Sequence, residues 1–268
     1  MRPSEASGLN ETGEDGETTV VRAGAAHLSR SQHTTQHAHY AWKIHIGIDA
    51  PVWVRRHGRA RREETRVLIV PPNVPHATGA VGWSVALFVE PGTRGAPWRE
   101  TGEAHAAEGA RMGHFVRLGE QFARSRPCDL GAIIDDVARK LFDAPTPAAR
   151  VDARVRAALL SLERNPDLTL PELAASLRIS VDRLTHLVSA QTGIPPRRHV
   201  LWQRVLRVLD AGSTASNLAT AALDAGFADH AHLTRTFRRF LGRAPSEFRA
   251  PPRVLARWTG DARGTRGP

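Results

Sequence analysis

The sequence predicts an α+β multidomain protein: a small β-barrel with trailing helices, then an all-α domain of two helix-turn-helix units. Three observations predict it. The apolar period is two up to about Trp98 and helical after it. The charge is uneven: the 268 residues carry a net +10, yet 151–268 alone has 18 Lys+Arg against 10 Asp+Glu and supplies +8 of it. And four residues recur at one offset. Ser180, Leu184, Gly193 and Pro196 return as Asp229, Leu233, Gly242 and Pro245, each 49 positions on.

Composition bounds the classes of function. The single cysteine, Cys128, excludes a disulfide framework and a multi-cysteine zinc site, and suits a reducing cytoplasmic setting. No apolar run approaches the ~20 residues of a membrane span. The first 16 residues lack a hydrophobic stretch, so a secretory signal is not expected. No phosphate-binding glycine loop or nucleophile elbow is present, and no catalytic residue and no cofactor are assigned. A basic C-terminal half suits nucleic acid. Arginine is simply abundant here, however, since Lys43 and Lys140 are the only lysines.

The expected organisation has five parts. Residues 1–30, rich in Glu, Gly, Ser and Thr, read as a disordered tail. A sensor and dimerisation domain spans 31–142. A linker with Pro145 and Pro147 covers 143–149, a DNA-binding domain 150–250, and a flexible Pro-, Gly- and Arg-rich tail 251–268.

Each element has its local reason. Trp42, Ile44, Ile46 and Ile48 alternate with Ala41, Lys43, His45 and Gly47, which is a strand. Trp83, Val85, Leu87 and Val89 make another, and Val67 to Val70 a short apolar one before Pro71-Pro72-Asn73. Such short strands with Pro, Gly and Asp turns predict a β-sandwich or barrel. Beyond Trp98, Phe115, Leu118 and Phe122 form one helical stripe, and Ile133, Ile134, Val137 and Leu141 a second. The first stripe suits a dimer helix and packing on the barrel equally.

In the C-terminal half, Thr169-Leu170-Pro171-Glu172 fits a capping box with proline in the first turn. Arg178-Ile179 turns the chain and Ser180 caps the next helix. The second unit is a helix over 217–224, a Gly226-Phe227 turn and a helix capped by Asp229. In that last helix Leu233, Phe237, Phe240 and Leu241 share one side, with Ala231 and Arg235 opposite. In its counterpart, Val181, Leu184, Leu187 and Val188 face the core, with Asp182, His186 and Ser189 opposite. A helix fits the major groove, where arginine bonds guanine bidentately. A merely solvated charged face is the competing account of Arg235, Arg238 and Arg239.

Residues 221–245, with Gly226-Phe227, Leu233-Thr234-Arg235-Thr236-Phe237-Arg238-Arg239 and Gly242-Arg243-Ala244-Pro245, resemble the second helix-turn-helix of the AraC/XylS family of bacterial transcription regulators. The resemblance covers about 165–249. In the first unit the family usually has Arg at the position of His186 and Phe-Lys at Leu187-Val188. The resemblance implies two subdomains joined by one long helix, here 197–210. It implies base contacts from Asp182, Thr185 and His186, and from His230, Ala231, Thr234 and Arg235, with Arg183, Arg238 and Arg239 beside them. Double-stranded DNA, a small-molecule effector, RNA polymerase and a second copy of the chain are the implied partners, in an activator.

The resemblance also implies a cupin-like effector domain. His37-Ala38-His39 precedes a strand, and Pro71-Pro72-Asn73-Val74-Pro75-His76 resembles the second cupin motif with Asn for Gly. Asn tolerates positive φ, so the exchange is mild. The first motif's Glu is missing; Lys43 and Ile44 stand there. Without that carboxylate no metal is expected, and His37, His39, Trp42 and His76 are assigned to an effector pocket. The rival is a cupin-type metalloenzyme using His37, His39 and His76 beside an accessory helical domain.

Overall fold

The computed structural model describes residues 16–21, 24–93, 96–98, 102–124, 129–142, 151–210 and 218–248. Cys128, the linker 143–149 and the tail 251–268 lie outside them. Among the described residues nine strands come first: β1 (Gly16–Val21), β2 (Gly24–Arg30), β3 (Trp42–Gly47), β4 (Val52–Arg56), β5 (Glu63–Thr65), β6 (Val67–Val70), β7 (His76–Ala80), β8 (Trp83–Val89) and β9 (His105–Ala106). Eight α-helices follow: α1 (Gly109–Arg124), α2 (Leu130–Leu141), α3 (Ala153–Arg164), α4 (Leu170–Ser176), α5 (Val181–Thr192), α6 (Pro196–Asp210), α7 (Leu218–Asp224) and α8 (His230–Leu241).

The strands form two antiparallel sheets, β1-β2-β8-β3-β6-β9 and β5-β4-β7. The expected barrel is therefore corrected to an unclosed pair of sheets. The large sheet ends on the two-residue β9, too short to carry a ladder across to the small one. Val52 and Val54 of β4 pack on Leu68 and Val70 of β6 to hold the sheets together. Single bridges from His33 to Gly79 and from His37 to His76 tie the loop before β3 to β7.

The tail expected over 1–30 is also corrected, since β1 and β2 lie within it. Strand β2 pairs with β8 from Gly24↔Val89 to Arg30↔Trp83 and is buried along nearly its whole length. Its residues are Gly24-Ala25-Ala26-His27-Leu28-Ser29-Arg30. They are too small and polar to signal a strand by hydropathy, but small side chains let α2 approach closely.

Both faces of β3 are buried. Trp42, Ile44 and Ile46 point into a core completed by Phe115, Leu118 and Phe122 of α1 and by Ile133, Ile134 and Val137 of α2. The α1 stripe is thus spent on the sheet, which removes the reason to see it as a dimer face. The Asp129 side chain accepts from the Ala132 backbone N–H and starts α2.

The helical domain follows its capping chemistry. Thr169 and Glu172 make the reciprocal capping box of α4. Ser180 Oγ accepts from Arg183 N at 3.1 Å to start α5, and Asp229 accepts from His232 N at 2.6 Å to start α8. Gly193 and Gly242, both left-handed at φ +78° and +71°, end these two helices. The repeat is not rigid: the turn 225–229 is one residue longer than the turn 177–180. Left-handed Arg178 (φ +54°) serves the first turn and Gly226 (φ +82°) the second.

Unit one has its own core from α3, α4 and α5, with Val155, Leu162, Leu173 and Leu184. Unit two does not. Its core of Phe227, Leu233, Phe237 and Phe240 also takes Trp202 from α6 and Tyr40 and Ala41 from the sheet domain.

Candidate functional site

The two helix-turn-helix units position their second helices with the apolar side inward and a polar face outward. On α5 Asp182, Arg183 and His186 are exposed, and Thr185 is half-buried. On α8 His230, Ala231, Arg235, Arg238 and Arg239 are exposed, and Thr234 is half-buried. Thr234 Oγ1 is itself buried and has no hydrogen-bond partner, so it points away from that face. Leu233 and Phe237 anchor the opposite side at 0% exposure. Apart from Thr234, the predicted contact residues thus share the solvent faces of two helices, with a guanidinium central in α8 and an imidazole in α5. The N-terminal turn of α5 carries Asp182, a carboxylate that can accept from cytosine N4.

The far end of α8 meets the sheet domain. Thr35 N donates to Gly242 O at 2.9 Å, Thr35 Oγ1 donates to the same oxygen at 2.9 Å, and Ala38 N donates to Arg239 O at 3.2 Å. Helix ends leave carbonyls without partners; here the loop before β3 supplies the donors. A Cβ at Gly242 would lie 2.6 Å from His37 Nδ1 and 2.7 Å from Thr35 O, so that position needs glycine for space as well as for φ. Arg243 Nη1 donates to Gln32 Oε1 at 3.0 Å, and Trp202 Nε1 donates to Glu90 Oε1 at 2.9 Å. Burial raises the Glu90 carboxyl to a pKa of about 7, against the hydrogen bond from Trp202, which lowers it.

Three of the four predicted effector residues come together under this junction. His37, His39 and His76 are buried, with ring centroids 4.3, 4.8 and 5.8 Å apart. Each Nδ1 sits by a backbone carbonyl two residues away: Thr35 O at 2.8 Å, Ala41 O at 2.7 Å and Val74 O at 2.8 Å. Burial above all, then the Lys43 charge, lowers the His37 pKa to about 3. Burial likewise holds His39 and His76 well below the ordinary 6.5. Asn73 adopts φ +62° in the Pro-Pro-Asn turn, as its place in the motif requires, and donates its N–H to His39 O at 2.7 Å. Trp42 does not join them. It lies on the other face of β3 against Phe142, with Nε1 donating to Pro97 O at 3.1 Å.

Beside the histidines lies a feature that hydropathy reading missed. Lys43 is 3% exposed and donates to Thr78 Oγ1 at 2.7 Å. No carboxylate pairs with it among the described residues. Burial, then the charge of Arg243, lowers its pKa to about 7. His45 Nε2 lies 3.1 Å from Ser84 Oγ, while His45 Nδ1 and Ser29 Oγ are buried without partners. The available signal was rarity: one of only two lysines stands within an apolar strand, between Trp42 and Ile44.

A helix-turn-helix domain family model matches residues 173–251. No curated protein matches the sequence significantly. ToxT from Vibrio cholerae, in its P21 crystal form, superposes with a TM-score of 0.55 at 10% identity, over 85% of this chain and 98% of that one. ToxT bound to an unsaturated fatty acid gives 0.53 at 12% identity, over 85% and 95%. The AraC-like transcriptional activator CuxR gives 0.36 at 13% identity, over 64% and 72%. The ToxT likeness is one of fold: a sheet domain followed by a two-unit helical domain. The class so defined is that of chains carrying a helix-turn-helix domain behind a sheet domain. Residues 173–251, from α4 to beyond α8, are thus similar to a helix-turn-helix domain family.

Proposed function

We propose that the chain is a sequence-specific regulator that reads double-stranded DNA with α5 and α8 and senses a small anion in its sheet domain. The observation that carries the DNA reading is the pair of solvent faces: Asp182, Arg183 and His186 on one helix, and Ala231, Arg235, Arg238 and Arg239 on the other. Thr185 and His230 flank them, while the Thr234 hydroxyl is turned inward. Short side chains beside a guanidinium let a helix seat in the major groove and let the guanidinium reach a base edge. An activator role would add RNA polymerase as a partner. A full-chain preparation should select defined sites from a random duplex pool, with affinity falling steeply as salt rises. Equal retention of every duplex would sink the reading.

The anion reading rests on Lys43. A buried cation lacking a carboxylate leaves a place for an anionic ligand. Arg243, from the C-terminal domain, reaches the same interior through Gln32. An anion there would touch both domains at once. ToxT, of like fold, is solved with an unsaturated fatty acid bound, which supports a carboxylate as the effector. Thermal shifts with a panel of carboxylates should find a stabilising ligand, and Lys43→Met should erase its effect. A ligand that stabilises both proteins equally would place the effector elsewhere.

The metalloenzyme alternative is disfavoured. Its three histidines contain no acid or base with a carboxylate partner, and they are closed over by the end of α8 rather than open to a substrate.

A further inference from the structure

We propose that His37, His39 and His76 form a divalent transition-metal site of the zinc type, and that the ion clasps the loop before β3 onto the end of DNA-reading helix α8. This departs from the sequence expectation, in which the missing Glu argued against a metal. The geometry supplies what the motif lacked. A carbonyl can only accept a hydrogen bond, so each Nδ1 facing Thr35 O, Ala41 O or Val74 O carries the ring proton. The neutral ring then keeps its lone pair on Nε2. Metal-binding histidines are held in this way, with one nitrogen fixed by an outer partner and the other presented to the ion. All three rings show it.

Two of the three presented atoms, His39 Nε2 and His76 Nε2, are buried with no hydrogen-bond partner. A buried nitrogen left unpaired is costly unless something fills its place. The three ligand nitrogens lie within 4.8 Å of one another. Bonds of ~2.0–2.1 Å at tetrahedral angles set nitrogens ~3.3 Å apart, so closure asks for at most about 1.5 Å of ring movement. Three neutral imidazoles without a carboxylate suit zinc, copper or nickel and exclude calcium and magnesium, which demand oxygen.

The consequence is long-range. His37 Nδ1 bonds Thr35 O, and Thr35 bonds Gly242 O at the cap of α8. Ala38, between two of the ligands, bonds Arg239 O. An ion joining His37 and His39 to His76 on β7 would fix that loop and, through it, the second helix-turn-helix unit. Unit one makes none of these contacts among the described residues.

The test uses the full chain, stripped with a chelator and titrated with Co²⁺ and then Zn²⁺. One equivalent should bind, with the visible absorption of tetrahedral cobalt displaced by zinc. His39→Ala and His76→Ala should each weaken binding by at least about 100-fold, while His114→Ala, on α1, should not. Zinc should slow amide exchange of Thr35 and Ala38 about tenfold or more. Thr35→Ala keeps all three ligands and the carbonyl that holds His37 Nδ1 but removes the Oγ1 bond to Gly242 O. It should bind zinc yet lose part of that protection, and it reads the coupling even if a histidine variant fails to fold. Failure of the wild-type chain to bind cobalt or zinc at one equivalent would overturn the site. So would binding that survives both histidine substitutions. Binding without exchange protection would overturn the clasp. None of these outcomes depends on DNA recognition.

Discussion

The two helix-turn-helix units share a sequence pattern but not an environment. Unit one draws its core from α3, α4 and α5, with Val200 of α6 against it and, among the described residues, nothing from the sheet domain. Unit two borrows Tyr40 and Ala41 from the sheet domain and lends Arg239 and Gly242 carbonyls to its loop. The reading faces differ as well, with Arg235 at the centre of α8 and His186 at the matching place in α5. The lesson is that a duplicated motif can divide its labour. On the proposed reading, one unit would offer a free reading head, and the other would carry the stronger reader and the connection to the sheet domain.

The largest effect that would break this comparison comes from the borrowed core. Tyr40 is 4% exposed and sits 4.9 Å from Phe240, ring to ring. Tyr40→Ala should cost about 3–5 kcal/mol, as large aromatic truncations do. The loss should appear in amide exchange of α8 and leave α5 protected. Equal loss in both helices would mean that the two units melt as one body.

The reading heads come next. Arg235→Ala should weaken binding to a specific duplex by about 1–3 kcal/mol, the range of a bidentate base contact. His186→Ala should cost less, because a neutral imidazole offers one donor and one acceptor and no fork. Competition titrations at fixed salt decide it; a larger cost at His186 would reverse the assignment of the two heads.

Caps provide a smaller comparison. Ser180→Ala and Asp229→Ala each remove the side-chain acceptor that starts a recognition helix and should cost about 1 kcal/mol apiece. Thermal melts of the full chain measure both. Because unit two is also held from outside, Asp229→Ala should fray α8 less than Ser180→Ala frays α5.

The last effect is one of pH. The folded chain holds Glu90 at about 7, above its ordinary 4.5. Its contribution is fully present below 4.5 and is lost as pH rises through 7, because the unfolded chain releases that proton first. The buried histidines act in the opposite sense at lower pH, so the readout is a difference. Melting temperatures of wild type and Glu90→Gln should diverge between pH 5 and 8, with the variant gaining. Parallel curves would show that Glu90 ionises freely at the domain junction.

Much of this was legible in sequence, for physical reasons. Capping residues act within four positions, so Thr169, Ser180, Asp229 and the two terminal glycines announced their helices. Strands with large apolar residues, β3, β6 and β8, declared themselves by alternation. Strand β2 did not, since its stability comes from pairing with β8 and not from its own hydropathy. The closed barrel failed as an expectation because closure depends on long-range ladders that no local pattern encodes. Trp42 was placed with the histidines by nearness in sequence, but one step along a strand reverses the face. Lys43 stands where the first cupin motif would place its Glu, and no local pattern announces that its side chain is buried against Thr78.

The central claim is that two unequal helices read one duplex. Selection from a randomised duplex library with the full chain, its Arg235→Ala form and its His186→Ala form tests it most directly. The account predicts two short preferred blocks whose centres lie about one helical turn, ~10 bp, apart. Arg235→Ala should erase preference at one position of one block, and His186→Ala should soften one position of the other. A single block, or a uniform fall in affinity with no position relaxed, would contradict it.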